Sequence, residues 1–237
     1  MRKPFLAALV LVAASTIVLR AGDPAAQPAL DTLDKKAGYS MGYQLGKELR
    51  QNAGTIDADA VARGIRDGLA GTAPILSDVG MQAATMEWQQ ALQAKAMKAH
   101  GERAKKNKTD GVAFLEKNKT AEGVKVTNSG LQYKCVKPGN GEKPAATDTV
   151  KVNYEGTLID GTVFDSSYKR GIPAEFPLDR VIKGWTEGLQ LMDVGSTYML
   201  YIPSEIGYGE DGQPQSPIGP NSVLIFKIEL LEIKKTK

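Results

Sequence analysis

Residues 150–167 read VKVNYEGTLIDGTVFDSS, and this stretch decides the fold of the second half of the chain. Every second residue at its start is apolar, as in a strand with one buried face, so the Tyr154 ring is expected to point inward. The dipeptide Asp160-Gly161 lies between TLI and TVF and predicts a two-residue hairpin turn. Such a hairpin would pair the flanking strands and bring Phe164 and Asp165 close to Tyr154.

The segments around this hairpin predict a small α+β domain. Residues 184–192 predict one short helix, because Trp185, Leu189 and Met192 recur on a single helical face. Further strands are predicted at LQYKCV (131–136), TYMLYI (197–202) and SVLIFKIELLEI (222–233). The only cysteine, Cys135, falls on the alternating apolar face of the first of these and is expected to be buried. Local antiparallel strands around one helix make an α+β fold.

The first half of the chain has helical patterns instead. Apolar or small residues recur from Leu33 to Leu49, which predicts an amphipathic helix of about five turns. A second helix is predicted from Asp57 to Leu69 and ends at Gly71, since glycine readily adopts the left-handed conformation that closes a helix.

A third and longer helix is predicted after Ser77, which is a good N-cap residue. It extends toward Asn118 with almost no strand-forming residue. Gly101 and Gly111 are its weak points, because a glycine costs a helix about 1 kcal/mol relative to alanine.

Three glycines in the first helix, Gly38, Gly42 and Gly46, recur every four residues and therefore share one face. Together they would destabilise an isolated helix by roughly 2–3 kcal/mol, so close packing of a partner helix is expected to compensate. Apolar side chains for such packing are Tyr39, Met41, Tyr43, Met81, Met86 and Trp88. We therefore expect an intertwined homodimer through residues 31–97; the alternative is a self-contained helical hairpin.

Charge argues against a nucleic-acid partner. The 30 basic and 27 acidic residues leave a formal charge of only +3. Basic residues concentrate between Lys95 and Lys119, where a solvated helix face that acts as a spacer is the expected structure, with anionic lipid or nucleic acid as the alternative. The single histidine, His100, has no second histidine or cysteine nearby, so no metal site is expected.

The first residues have the pattern of an export signal. Arg2 and Lys3 precede an apolar run from Phe5 to Leu19, which is shorter than the roughly 20 residues of a membrane-spanning helix. Cleavage is expected near Ala21-Gly22, and an uncleaved N-terminal anchor is the alternative. An exported chain with one cysteine cannot form an internal disulfide, so its core must hold it together.

From Gly123 to Lys237 the order of motifs resembles the FKBP-type peptidyl-prolyl isomerases. The motifs are YEGTLIDGTVFDSS, VIKGWTEGLQLM, VG, YIP, GYG and LIFKIELL. The helical half resembles, more loosely, the dimerisation region of the exported Mip-like and FkpA-like bacterial members. This divides the chain into a signal peptide (1–21), a linker (22–30), an N-terminal helical dimerisation region (31–76), a long connecting helix (77–119) and an FKBP-type domain (123–237).

The resemblance also implies which residues form the active site. Tyr154, Phe164, Asp165 and Tyr208 would be catalytic, and the substrate would bind to Val181, Ile182, Trp185, Ile218, Phe226 and Arg170. Trp185 would form the floor, and the Ile182 N–H and the Tyr208 hydroxyl would contact substrate carbonyls. Arg170 would be the basic partner of Asp165.

Two positions depart from the family pattern. Ala174 stands where several members have a further aromatic wall, which puts tight binding of macrolides and the substrate preference in doubt. Gly219 stands where a proline is common and is expected to loosen the loop beside Ile218.

The function implied is an exported dimeric prolyl isomerase that assists folding of exported proteins and holds clients through its helical arms. The periplasm is the expected compartment, with the outer surface or the medium as alternatives. Its partners would be unfolded or proline-containing polypeptides, a second copy of the chain and macrolides such as rapamycin, but no nucleic acid. Prolyl rotation breaks no covalent bond, so no cofactor is expected. The alternative is a non-catalytic holding chaperone or surface interaction module that retains the fold.

Overall fold

A computed structural model describes residues 29–52 and 56–235. The expected signal peptide and residues 22–28 of the linker lie outside the described residues. Within the described ranges, no helix combines the length and the apolar character needed to cross a membrane. The chain divides into two compact units, one ending at Ile75 and the other running from Leu76 to Lys237.

The first unit contains two helices, α1 (Leu33–Asn52) and α2 (Ala58–Ala70). The carboxylate of Asp57 accepts a hydrogen bond from the Ala60 N–H at the start of α2. Gly71 ends the helix in the left-handed conformation, with φ of 65°. The two helices expected from the periodicity and from these caps are confirmed.

The second unit begins with α3 (Asp78–Asn118), a helix of 41 residues. The Ser77 hydroxyl accepts a hydrogen bond from the Gly80 N–H and so acts as the expected N-cap. The helix continues through Gly101 and Gly111 without interruption.

A seven-stranded antiparallel sheet follows α3. Its strands are β1 (Val124–Val126), β2 (Gln132–Lys137), β3 (Thr149–Thr157), β4 (Val163–Ser166), β5 (Ala174–Pro177), β6 (Thr197–Ile202) and β7 (Leu224–Lys234). The strand order is β1-β2-β6-β7-β3-β4, and β5 also pairs with β3. Two short helices, α4 (Ser167–Arg170) and α5 (Lys183–Leu189), and two 3₁₀ turns at 178–180 and 204–206 complete the unit.

The core of this unit lies between the sheet and α5. Trp185 and Leu189 of α5 and Met192 just beyond it are buried, as their shared spacing predicts. Tyr154 on β3 is only 4% exposed and therefore points inward as expected. The α+β architecture, a sheet wrapped around one short helix after a helical region, is confirmed.

The hairpin between β3 and β4 is one residue longer than predicted. The Leu158 N–H donates to the Thr162 carbonyl, so three residues separate the closing pair. Gly161 has φ of 84°, but Asp160 does not adopt a positive φ. A two-residue turn of the predicted kind needs positive φ at both central residues, so the chain makes the three-residue turn instead.

The prediction that Cys135 is buried is wrong, because its thiol is exposed. Register explains the difference. β1 ends its pairing with β2 opposite Lys134, and a register shift follows between Cys135 and Lys137. Cys135 therefore lies at the irregular end of β2, beyond its pairing with β1.

The basic stretch of α3 is not a free spacer along its whole length. Phe114 lies against Tyr201 of β6, with ring centroids 6.0 Å apart. The Gln132 side chain donates to the Leu115 carbonyl over 2.9 Å. The last four turns of the helix thus dock on the sheet domain, because their apolar and amide side chains face it while the lysines face water.

The two glycines of α3 differ in their surroundings, and this generates a prediction. A methyl group at Gly101 would meet open space, whereas one at Gly111 would lie 2.8 Å from Cγ2 of the buried Val223. Gly101→Ala should raise the free energy of unfolding by about 1 kcal/mol through helix propensity. Gly111→Ala should leave the chain about 1–3 kcal/mol less stable than Gly101→Ala, because the added methyl overpacks the contact.

Urea unfolding followed by circular dichroism measures this difference. Equal stabilisation by both alanines would show that α3 does not pack against Val223.

Candidate active site

A cavity of about 640 Å³ opens beside α5. It is lined by Tyr154, Phe164, Asp165, Phe176, Arg180, Val181, Ile182, Trp185, Tyr208, Gln213, Gln215, Ser216, Pro217 and Phe226. Aromatic rings form its base, and polar groups lie on one side. A cavity of this size, apolar with a few converging polar groups, is typical of a binding site for a small ligand or a short peptide segment.

Trp185 is the centre of the aromatic base. Its ring is met nearly at right angles by Tyr154, Phe176 and Phe226, with centroid distances of 5.1, 5.3 and 5.1 Å. Edge-to-face pairs of this kind contribute about 0.5–1.5 kcal/mol each beyond the apolar area that they bury. Three such contacts fix the indole as a rigid floor, as the position expected for Trp185 implied.

Phe176 supplies an aromatic wall that was not predicted. Ala174, where such a wall was expected to be missing, pairs with Val152 on β3, and Phe176 pairs with Val150. Residues two apart on a strand share a face, so Phe176 points toward the core beside Ala174. The sequence signal was the alternation in Ala174-Glu175-Phe176, and the cavity does not lack an aromatic ring on this side.

Gly156 on β3 makes room for two of the rings. A side chain there would place its Cβ 2.5 Å from the Phe164 ring and 2.8 Å from the Phe226 ring. Because the position has no side chain, Phe164 and Phe226 meet edge to face with centroids 5.4 Å apart. One strand therefore contributes both the Tyr154 ring and the gap that the other two rings fill.

Asp165 is held by two neighbours. Its carboxylate accepts hydrogen bonds from the Tyr154 hydroxyl and from Nη1 of Arg170. Nη2 of Arg170 also donates to the Tyr154 hydroxyl over 2.9 Å, and its guanidinium lies 5.5 Å from the centre of the Tyr154 ring. Ser166, not Asp165, caps α4 by accepting from the Lys169 N–H, so the carboxylate of Asp165 is left for this network.

The network keeps Asp165 charged. Partial burial, the largest single influence, would raise the pKa of its carboxyl, but the hydrogen bonds from Tyr154 and Arg170 and the charge of Arg170 outweigh it and lower that pKa below 3.8. Burial, and then the hydrogen bond to Asp165, raises the pKa of the Tyr154 phenol. The pair thus stays as a carboxylate and a neutral phenol over the whole physiological range.

Several polar groups in the lining remain available to a ligand, and two of them lie where a peptide could meet them, the Tyr208 hydroxyl and the Ile182 N–H. Among the described residues, neither the Tyr208 hydroxyl nor the Ile182 N–H has a hydrogen-bond partner. Burial, together with the charge of Asp165, raises the pKa of Tyr208, so its hydroxyl remains a donor. Both groups suit carbonyl oxygens of a bound peptide.

The structure brings eight of the ten sequence-predicted site residues into the lining and leaves two outside it. Ile218 is 3% exposed and belongs to the core. Arg170 acts from outside, through Asp165 and Tyr154. Sequence reasoning missed Phe176, Arg180, Gln213, Gln215, Ser216 and Pro217. The last four lie on the irregular loop before β7, which has no periodicity that could assign a direction to its side chains.

Comparison with known proteins agrees with this architecture. Residues 140–231 match the family profile described as FKBP-type peptidyl-prolyl cis-trans isomerase. Residues 34–135 match the profile of the domain amino terminal to that isomerase. The outer membrane protein MIP of Legionella longbeachae is 47% identical over 86% of this chain and 88% of its own length. The FKBP-type 22 kDa peptidyl-prolyl cis-trans isomerase of Escherichia coli is 44% identical over 87% of this chain and 98% of its own.

A solved structure shares the fold of both halves. The crystal structure of FkpA from Escherichia coli matches with a TM-score of 0.70 and 38% sequence identity. The match covers 88% of this chain and 100% of that chain.

The hydrogen bonds of Asp165 generate a prediction about its titration. Because its carboxyl pKa is lowered, Asp165 should stay ionised to a lower pH than an unperturbed aspartate and should take up its proton as pH falls through that lowered pKa. Tyr154→Phe removes one donor to the carboxylate and should raise this pKa. NMR titration of the Asp165 carboxyl carbon measures it, with Tyr168→Phe as a control that removes a hydroxyl bonded to Glu229 instead.

A midpoint at or above that of an unperturbed aspartate in the unmodified chain, or one that Tyr154→Phe leaves in place, would contradict the network.

Proposed function

The chain belongs to the family of FKBP-type peptidyl-prolyl cis-trans isomerases, and we propose that the cavity beside α5 is the site where it rotates Xaa-Pro bonds. The observation that carries the proposal is the rigid aromatic base around Trp185 with the ionised Asp165 on one side. Tyr154, Phe164, Trp185 and Phe226 would enclose the proline ring, with Phe176 completing the wall.

The reaction needs such a pocket because no covalent bond is made or broken. The barrier of about 18–20 kcal/mol is the loss of amide resonance as the peptide bond twists. A twisted amide is less polar than a planar one and loses less when it leaves water. An apolar pocket therefore binds the twisted form better than the planar form, which lowers the barrier.

Asp165 organises this pocket and does not act as a base. Asp165 already accepts two hydrogen bonds and stays ionised, and Arg170 balances its charge. The hydrogen bond from the Tyr154 hydroxyl holds the Tyr154 ring against Trp185. The Ile182 N–H and the Tyr208 hydroxyl are placed to bind carbonyl oxygens on either side of the rotating bond. Each contact serves orientation, and none of them moves a proton.

Two variants test these roles. Asp165→Ala removes a charged acceptor and should lower kcat/KM about 10–100-fold, the equivalent of one charge-assisted hydrogen bond. Tyr208→Phe removes one neutral donor and should lower it about two- to tenfold. The measurement is cis–trans exchange of an Ala-Phe-Pro peptide by NMR, in which no coupled protease is needed, with the full chain and Tyr168→Phe as the control. Rapamycin should suppress the exchange.

Neither variant should change the oligomeric state. Rates like those of the unmodified chain in both variants would show that the residues assigned from the cavity are not the site.

We also propose that residues 31–97, the helical arms, form a homodimer. Among described residues 29–50 and 56–100 none is buried within the chain, although Tyr39, Met41 and Tyr43 are apolar and 59–73% exposed. The Gly38, Gly42 and Gly46 positions face open space in the single chain. A second copy of α1 packed on this glycine face would bury the neighbouring rings and offset the low helix propensity of the glycines.

The proposed dimer also indicates which polypeptides the protein acts on. We propose that the arms of the dimer hold unfolded, proline-containing exported proteins while the cavity acts on their prolyl bonds. The apolar run at the start of the sequence supports export to the cell envelope, most simply the periplasm, and one relative is named an outer membrane protein. Methionines and tyrosines on the arms suit binding of varied apolar segments.

Gly42→Leu tests the dimer and the role of the arms together. Leucine favours the helix of the single chain but its side chain would block a partner helix, so light scattering should show one chain where the unmodified protein shows two. Exchange of the short peptide should be unaffected, while protection of a denatured client from aggregation should fall. Gly101→Leu, also in open space but outside 31–97, is the matched control.

A Gly42→Leu protein that remains a dimer would exclude the glycine face as the interface. Full client protection by a monomer would show that the arms do not hold clients as a pair.

A further inference from the structure

One wall of the cavity is a loop that contains no helix or strand. Residues 207–223 join the 3₁₀ turn at 204–206 to β7, and five of them line the cavity: Tyr208, Gln213, Gln215, Ser216 and Pro217. Gln215 and Asn221 adopt positive φ values of 60° and 53° without being glycine. Such conformations are uncommon and persist when surrounding contacts determine them. Two hydrogen bonds within the loop, from the Gln213 N–H to the Ile218 carbonyl and from the Asn221 N–H to the Gly209 carbonyl, supply part of these contacts. The others come from outside the loop.

Those contacts come from α3. Nη2 of Arg103 donates to the Pro217 carbonyl over 2.7 Å, and Nδ2 of Asn107 donates to the Pro220 carbonyl over 2.8 Å. In the reverse direction, the Asn221 amide donates to the Ala104 carbonyl over 3.4 Å. Of the five cavity-lining loop residues, Pro217 is the one whose backbone is bound directly by this helix.

Gly219 has no side chain, and this leaves the space that the Arg103 guanidinium occupies. A Cβ at this position would lie 2.4 Å from Nε and 2.7 Å from Cζ of Arg103, so the guanidinium occupies the space of the missing side chain. Gly219 does not have a positive φ, so its backbone does not itself require glycine. Gly219 is buried and Arg103 fills the space beside it, which opposes the expected loosening of the loop. That expectation stays a prediction.

Arg103 also has a charged neighbour on its other side. It lines a groove with Asp160 of the β3–β4 hairpin. Hydrogen bonds from Thr162 lower the pKa of Asp160 most, and the charge of Arg103 adds to the effect. The carboxylate of Asp160 therefore attracts the guanidinium across the groove.

We propose that Arg103 is a positioning residue of the isomerase site, which holds the 212–220 wall of the cavity from behind through the Pro217 carbonyl and the surface of Gly219. The proposal rests on the proposed function, since it assumes that substrates bind in this cavity. It makes part of the substrate-binding wall depend on a helix that precedes the sheet domain in the chain. Arg103 supports the part of the wall that binds the polypeptide next to the proline. Its hydrogen bond goes to Pro217, and it does not contact Asp165, Ile182 or Tyr208, the groups assigned to the rotating bond.

The test is a double-mutant cycle in the full chain. Arg103→Ala removes the guanidinium, and Gly219→Ala pushes the end of that flexible side chain out of its place. Each should raise KM for a proline peptide about three- to tenfold with kcat nearly unchanged, since one charge-assisted hydrogen bond is lost at an exposed site. The double variant should match the single variants, because both break the same contact. Lys105→Ala, which removes a charge from the same helix, is the control.

Hydrogen exchange distinguishes a loosening of this loop from a general loss of stability. The Gln213 and Asn221 amides, bonded to the Ile218 and Gly209 carbonyls, should exchange faster in both single variants. The amide of Leu230 on β7 should exchange at the rate of the unmodified chain. Arg103→Lys keeps a charged donor and should restore part of the protection.

The outcomes separate the proposals. Two results would overturn the role of Arg103 while Asp165→Ala still lowers activity. The first is additive effects of Arg103→Ala and Gly219→Ala. The second is an Arg103→Ala variant that behaves like Lys105→Ala. If Asp165→Ala also has no effect, the cavity itself is not the site and the proposed function fails. Should Arg103→Ala not fold, Gly219→Ala still displaces the guanidinium alone, and normal KM and exchange in that variant would exclude the role.

Discussion

The hydrogen bond from the Tyr154 hydroxyl to Asp165 is the interaction on which the site depends, because it joins the apolar base to its polar side. The Tyr154 ring belongs to the core and meets Trp185 edge to face, while its hydroxyl reaches a partly exposed carboxylate. A shift of β3 by one residue would turn this ring to the other face of the sheet. That register is fixed by pairing of β3 with β7 along one edge and with β4 and β5 along the other.

Alternation along the sequence predicted this part of the fold, because one face of β3 is buried over its full length. The same reasoning failed for Cys135, which lies beyond the pairing of β2 with β1 and next to a register shift. It also gave a hairpin one residue too short, since an Asp-Gly pair fits a three-residue turn as well as a two-residue turn. Local patterns therefore predicted which face a strand buries but not where its neighbours end.

The site was predicted less completely, for a related reason. Alternation, the hairpin and the spacing of α5 predicted where Tyr154, Phe164 and Trp185 lie, and Phe176 was available from the alternation of β5. Phe226 and Tyr208 came from the resemblance to the family. The other cavity-lining residues of the 207–223 loop were not available, because no period relates their order to a direction. Their places are set by hydrogen bonds to α3, more than a hundred residues earlier in the chain. Contacts of such long sequence separation leave no local pattern.

The glycine at 219 shows how such a contact can replace a local constraint. A proline at this position, as is common in the family, would restrict φ and thereby reduce the freedom of the loop before folding. Glycine does the opposite in the unfolded chain, so the native loop must recover its order from tertiary contacts. The side chain that glycine lacks is the space in which the Arg103 guanidinium lies, with its Nη2 on the Pro217 carbonyl. A proline would make the loop itself rigid. Here the contacts with α3 hold the loop in place, so the loop is rigid only while the helix is docked.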